Sequence, residues 1–108
     1  MKRGEIWLVA GGVYASKPRP AVLLQDDRFG ETDSVTVCPL TTTDASAPLL
    51  RMPVEADPVS GLEKASYAMV DKLTTVRRSN VAQHTGSLSP AQLIDLERLV
   101  MAFLGLAD

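Results

Sequence analysis

The chain holds one cysteine, Cys38, and one histidine, His84, among 108 residues. A lone cysteine excludes an intramolecular disulfide framework, and with a single histidine there is no Cys/His cluster for structural zinc. Only carboxylates are left to hold a hard cation, and the sequence calls for no metal and no cofactor. Long hydrophobic runs are missing as well. None approaches the roughly 20 residues of a membrane-spanning helix, and Met1-Lys2-Arg3-Gly4-Glu5 is not followed by an uninterrupted signal-peptide core. The expectation is a cytoplasmic protein with no membrane partner. Also absent are a glycine-rich phosphate loop, a G-x-S-x-G elbow, an H-E-x-x-H pair and a Cys-x-x-Cys pair, which disfavours hydride transfer and motif-borne metal hydrolysis.

No excess of positive charge advertises a polyanion partner, since 13 acidic residues against 11 basic ones give a net charge of −2. The distribution says more than the total. Residues 1–25 carry Lys2, Arg3, Lys17 and Arg19 against Glu5, and residues 64–79 carry Lys64, Lys72, Arg77 and Arg78 against Asp71, each segment summing to +3, while residues 26–63 sum to −6. If the two basic segments meet in space, an acidic protein presents a local cationic patch to a phosphate chain. A hydrophobic fraction of 45%, a charged fraction of 22%, seven glycines and seven prolines are those of a globular chain, and the length fits a single domain over 1–108.

Apolar runs bounded by turn residues predict short strands. Glu5 to Ala10 reads as the first, with Trp7 in the core, and closes at Gly11-Gly12. In KPRPAVLLQDD, Pro18 and Pro20 flank Arg19; each fixes its own φ and extends the residue before it, so Lys17 and Arg19 are held extended at the start of a strand. Ser34 to Leu40 and Leu49 to Glu55 read as the next two, with Pro39 and Pro53 implying edges or bulges. Ala65 to Val76 is one long strand, or two joined by a bend near Asp71-Lys72. The period then changes. Ser89, Pro90 and Gln92 form the N-cap, first turn and capping box of a helix that Gly105 stops. Leu93, Leu96, Val100 and Phe103, with Leu99 and Leu104 beside them, give it an apolar stripe. Five or six strands followed by one terminal helix predict a small, strongly curved antiparallel β-barrel with a C-terminal α-helix.

The residues with chemical content are an arginine between two prolines and the hydroxyl run Thr41-Thr42-Thr43 directly after a strand. A fixed guanidinium offers forked donors that match phosphate oxygens, and a nearby hydroxyl adds a further bond, so the pair suits a phosphodiester. The plain alternative makes Arg19 a surface ion-pair partner and the threonines turn formers that bond their own backbone. Cys38, in a β-run, reads as a small buried hydrophobe, and Tyr14 could stack on an unstacked base or cover the core.

MKRGEIWLV, KPRPAVLL, VCPLTTT and ASYAMVDKLTTV, in that order over nearly the whole chain, resemble the successive blocks of the MazF/PemK (Kid-like) family of toxin endoribonucleases. The resemblance implies an SH3-like barrel with a C-terminal helix, a homodimer, and metal-independent cleavage of single-stranded RNA. It also implies a cognate antitoxin with a disordered acidic segment. Matched by position, Arg19 and Thr41 are the catalytic pair. Asp71 is a candidate for proton transfer or base contact; read as an ordinary strand-end carboxylate, it has Lys72 or Arg77 for a partner. Lys17, Thr42, Lys72 and Arg77 are candidate RNA contacts. The chain departs from Kid-like members, which place a histidine in the first loop and an arginine two residues before this aspartate; GGVYASKP has no histidine and the second position is Met69. Two rivals stay open: a CcdB-like gyrase inhibitor, although the Trp-Gly-Ile tail of that type is missing here, and a catalytically silent SH3-like binding module.

Overall fold

The computed structural model describes residues 1–10 and 17–106. Among these the strands are β1 (Glu5–Val9), β2 (Arg19–Leu23), β3 (Ser34–Thr41), β4 (Arg51–Val54), β5 (Ser66–Met69), β6 (Thr74–Arg77) and β7 (Val81–Ser87), followed by one helix, α1 (Pro90–Leu104). All pairings are antiparallel. The sheet runs β4-β5-β3-β2-β1-β7, and β6 joins β3 beside this path. The expected bend at Asp71-Lys72 is a 3-10 turn over Val70–Lys72 between β5 and β6.

β3 organises the sheet because it changes partner along its length. Its first half pairs with β6 from Ser34 to Val37, and its end pairs with β5 at Leu40 and Thr41. Pro39 falls in the gap between those two ladders, where its missing N–H breaks no bond on that side. Pro53 sits in β4, whose only strand partner among the described residues is β5, so it lies on an edge as expected.

Two apolar clusters cover the two faces of the sheet. Ile6, Val22, Cys38, Leu40, Met52, Val54, Ala68, Val70 and Leu88 gather on one face around Leu96 of α1. Val9, Ala21, Leu23, Val35, Val37, Val76 and Val81 gather on the other, as strand alternation requires. Trp7 is only partly buried against this second cluster. It stacks on His84 with ring centroids 5.1 Å apart, and its indole N–H donates to Glu5 at 3.0 Å. Burial pushes the Glu5 carboxyl up, but hydrogen bonds from the Trp7 indole and the Lys2 amide outweigh it and hold the group below its ordinary value.

The curved antiparallel β architecture with a C-terminal helix is as expected, and two other expectations are corrected. Among the described residues β4 and β7 do not pair, and the loop after β4 bridges toward β7, the Ser87 N–H donating to the Val59 carbonyl at 2.9 Å. Gly61 in that loop has φ +69° and packs its Cα against the Thr85 carbonyl, so the turn tolerates no Cβ. A strand beyond those expected, β7, pairs with β1 from Glu5↔Ser87 to Val9↔Val81. On α1, Leu96 is fully buried and Leu93, Leu99 and Val100 pack partly against the core, whereas Phe103 (46% exposed) and Leu104 (53%) face outward. The stripe therefore ends a turn earlier than its periodicity suggests. The capping box is present in full, with Ser89 and Gln92 bonded reciprocally and Gly105 left-handed at φ 74°.

Candidate nucleic-acid interface

Arg19 opens β2 opposite Val9 of β1 and is exposed. Thr41 closes β3 opposite Tyr67 of β5 and is half-buried. The two belong to adjacent antiparallel strands: the last registered pair of β2 and β3 is Ala21↔Pro39, and Arg19 and Thr41 each lie two residues beyond it at the same end. By alternation both share the face of Ala21 and Val37, opposite the face that packs on α1. The register that aligns the two apolar clusters therefore delivers a guanidinium and a hydroxyl to one end of one face.

The hydroxyl cluster partly satisfies its own turn. Thr41 Oγ1 accepts from the Thr43 N–H at 3.2 Å, which leaves its O–H free to donate outward. Thr42, Thr43 and Lys17 are exposed around this end. Tyr14 lies outside the described residues.

Asp71 lies in the turn after β5, and its partner is neither Lys72 nor Arg77. Its Oδ1 accepts from Nη1 of Arg51, the first residue of β4, with side chains 12% (Arg51) and 24% (Asp71) exposed. Arg51 Nη1 also donates to the Leu50 carbonyl at 3.2 Å, and its buried Nε finds no partner among the described residues. Arg51 stands opposite Met69 in the β4–β5 ladder, and Tyr67, two residues back along β5, stands opposite Thr41. Arg51, Met69, Tyr67 and Thr41 thus share a face. Sequence reasoning passed over Arg51 and Tyr67; the signal is the strand register, which brings together residues 20 apart.

The remaining basic residues spread out. Lys72 is exposed beside Asp71. Arg77 pairs with Ser34 at the start of β3, and the seven steps from Ser34 to Thr41 at about 3.4 Å each put it roughly 24 Å along that strand from Thr41. Arg78 donates to the Thr32 carbonyl at 2.7 Å and lines a small cleft with Lys2, Arg3, Asp26 and Asp27. The two basic segments meet in that cleft, diluted by carboxylates and away from Arg19 and Thr41.

Cys38 is fully buried. Burial pushes its thiol up to about 12, with the Asp71 charge adding to the effect and Arg51 opposing it, so it is neutral and inert as a nucleophile. Among the described residues no cluster of His, Cys, Asp and Glu could hold a metal ion, and no helix is long and apolar enough to cross a membrane.

Fold and site together define a small antiparallel β protein with one C-terminal helix, among whose described residues an arginine and a threonine share one end of one sheet face. Residues 2–104 match the family model of the PemK-like, MazF-like toxin of type II toxin-antitoxin systems, and the chain belongs to that family. It is 46% identical over 108 residues to the probable endoribonuclease MazF of Mycolicibacterium smegmatis, covering 99% of each chain. Among solved structures, it resembles Mycobacterium tuberculosis toxin MazF-mt6 with a TM-score of 0.82 and 25% identity over 96% of this chain and 99% of that one. It shares its fold with MazF in the Deinococcus radiodurans MazE-MazF complex at a TM-score of 0.81 and 20% identity, over 99% of this chain and 98% of that one. Membership of this family separates the chain from the gyrase-inhibitor and silent-module readings.

Proposed function

We propose that the chain, acting as one domain over 1–108, is the toxin of a type II toxin-antitoxin system and an endoribonuclease that cuts single-stranded RNA without a metal ion. The observation that supports this reading most is that Arg19 and Thr41 each lie two residues beyond the Ala21↔Pro39 pair, at one end of one sheet face. The relative in Mycolicibacterium smegmatis bears the name of an endoribonuclease. The RNA 2′-hydroxyl attacks the adjacent phosphorus: the O2′–P bond forms, the P–O5′ bond breaks, the 2′ proton leaves to a base, and the departing 5′-oxygen takes up a proton. The products are a 2′,3′-cyclic phosphate and a 5′-hydroxyl. Arg19 stabilises the charge developing on the phosphoryl oxygens, and the Thr41 O–H orients the phosphate. A preorganised donor of this kind is worth on the order of 10²–10³ in rate. An arginine, with a pKa above about 12, is a poor proton acceptor, so Arg19 is not assigned as the base.

Lys17 and Thr42, near Arg19 and Thr41 along the chain, serve as RNA contacts, with Lys72 beside Asp71 and Arg77 farther along β3 as further ones. The partners that follow are a second copy of this chain, supported by the exposed Met101, Phe103 and Leu104 late in α1, and a cognate antitoxin with a disordered acidic segment that covers the basic end. Solved neighbours include an endoribonuclease in complex with its cognate antitoxin. The site of action is the cytoplasm.

The test is incubation of wild-type and Arg19→Ala protein with mixed-sequence single-stranded RNA in EDTA, reading cut positions and end groups. Site-specific cuts ending in 2′,3′-cyclic phosphate, lost in the variant, are expected. A folded wild-type protein that cuts nothing refutes the reading.

A further inference from the structure

The ion pair between Arg51 and Asp71 has no part in the reaction as described so far, yet it lies on the face that carries Thr41. Arg51 leads a four-residue edge strand, and its neighbour across the ladder, Met69, is two residues from Tyr67, which stands opposite Thr41. Asp71 thus follows β5, the strand next to β3, and Arg51 lies one strand farther out on β4. Its geometry is lopsided. Asp71 spends Oδ1 on Arg51, while Oδ2 has no partner among the described residues, and the side chain is 24% exposed. Arg51, at 12%, is the buried member, held by the Leu50 carbonyl and carrying an Nε with no partner.

A pair this deep is weak evidence for stability, because burying the charges costs about what their attraction returns, and apolar replacements of similar shape are often as stable. What the pair does supply is a partly exposed carboxylate with one oxygen anchored by Arg51 and the other without a partner among the described residues. An unanchored aspartate beside an RNA backbone would be driven away from the phosphates by like charge. Balanced by Arg51, it adds no net repulsion and still accepts a hydrogen bond.

We propose that Arg51 is a positioning residue for RNA cleavage: it clamps Asp71 Oδ1 so that Oδ2 is offered to the substrate as a fixed acceptor for a hydrogen-bond donor of the RNA that lies along the face carrying Thr41. This rests on the ribonuclease reading. The donor is either a ribose hydroxyl or an amino group on a base edge; the acceptor is the same for both.

The experiment compares wild type, Arg51→Met, Arg51→Lys, Asp71→Asn and the double variant Arg51→Met/Asp71→Asn on the same RNA in EDTA. Circular dichroism and melting show which proteins are folded. Arg51→Met and Asp71→Asn are each expected to lower kcat about 10- to 100-fold with KM changed less than about threefold, the range a mispositioned group costs. The double variant should be no worse than the poorer single one, and Arg51→Lys should recover part of the loss. Slower cutting at unchanged sites identifies a ribose hydroxyl as the donor, and an altered set of cut sites identifies a base amino group. A folded Arg51→Met protein with wild-type kcat overturns the proposal. So do additive losses in the double variant. If Arg51→Met fails to fold, Arg51→Lys and Asp71→Asn decide by the same criteria. Wild type that cuts nothing removes the ribonuclease reading itself, and the proposal with it, an outcome separate from active wild type beside indifferent variants.

Discussion

Leu96 and Leu104 lie on one helix and have the same side chain, but they test opposite claims about where the core ends. Leu96 is fully buried within the cluster that includes Ile6, Val22, Met52 and Val70, whereas Leu104 is 53% exposed. Truncating a leucine in a close-packed core removes its transfer free energy and leaves a cavity, a loss of about 3–5 kcal/mol. For 108 residues, an unfolding entropy of about 2.1 cal/mol/K per residue amounts to about 0.23 kcal/mol/K. Leu96→Ala should therefore lower Tm by about 13–22 °C. Leu104→Ala should cost under about 0.5 kcal/mol, or roughly 2 °C, in a dilute sample. Calorimetry of both variants at two protein concentrations separates the cases, since a Leu104 effect that grows with concentration reports self-association and not core packing. A concentration-independent loss at Leu104 equal to that at Leu96 would refute the placement of the helix end.

Three further outcomes follow from local geometry. Ser89→Ala removes the side-chain half of the capping box and should cost about 1 kcal/mol in chemical denaturation, with Gln92→Ala costing less. Gly61→Ala should lower stability by at least about 2–3 kcal/mol, because the positive φ and the Thr85 carbonyl both oppose a Cβ; near-neutral behaviour in urea titration would mean the loop does not bridge to β7 as described. For Cys38, the folded thiol at about 12 lies above its unfolded value, so the unfolded chain loses its proton first as pH rises. Its contribution to stability is complete below the unfolded pKa and declines as the pH climbs toward 12. Cys38→Ala should flatten that alkaline decline in a pH series of melts, and the native thiol should resist alkylating reagents at neutral pH.

How far the sequence carried depended on whether a side-chain pattern or a backbone register held the information. The strands from β1 to β6 and the helix start are visible in apolar runs, prolines and the Ser89–Gln92 box, because burial and capping select particular residue types. β7 is not: in Val-Ala-Gln-His-Thr-Gly-Ser only Val81 is buried, and the segment is a strand because its backbone pairs with β1. The last turn of α1 misleads in the other direction, since Phe103 and Leu104 continue an apolar period past the edge of the sheet. Arg19 and Thr41 could be picked out as a pair, because flanking prolines and a hydroxyl run are local signals. Arg51 could not, because its relation to Asp71 exists only once β4 and β5 are aligned, and an isolated arginine before Met-Pro-Val carries no mark of it.

The pairing of Glu5 with Ser87 has a temporal consequence. β1, the earliest of the described strands, has one partner in β2, but its other edge stays open until β7 emerges, and the core is not sealed until Leu96 arrives behind it. Closing contacts of such long sequence separation are slow to form. A chain interrupted during synthesis would lack the strand and the helix that hold the sheet together, and the face bearing Arg19 and Thr41 would have no rigid support. The order of elements along the chain thus leaves the β1 edge open and the core unsealed until β7 and α1 have both been made.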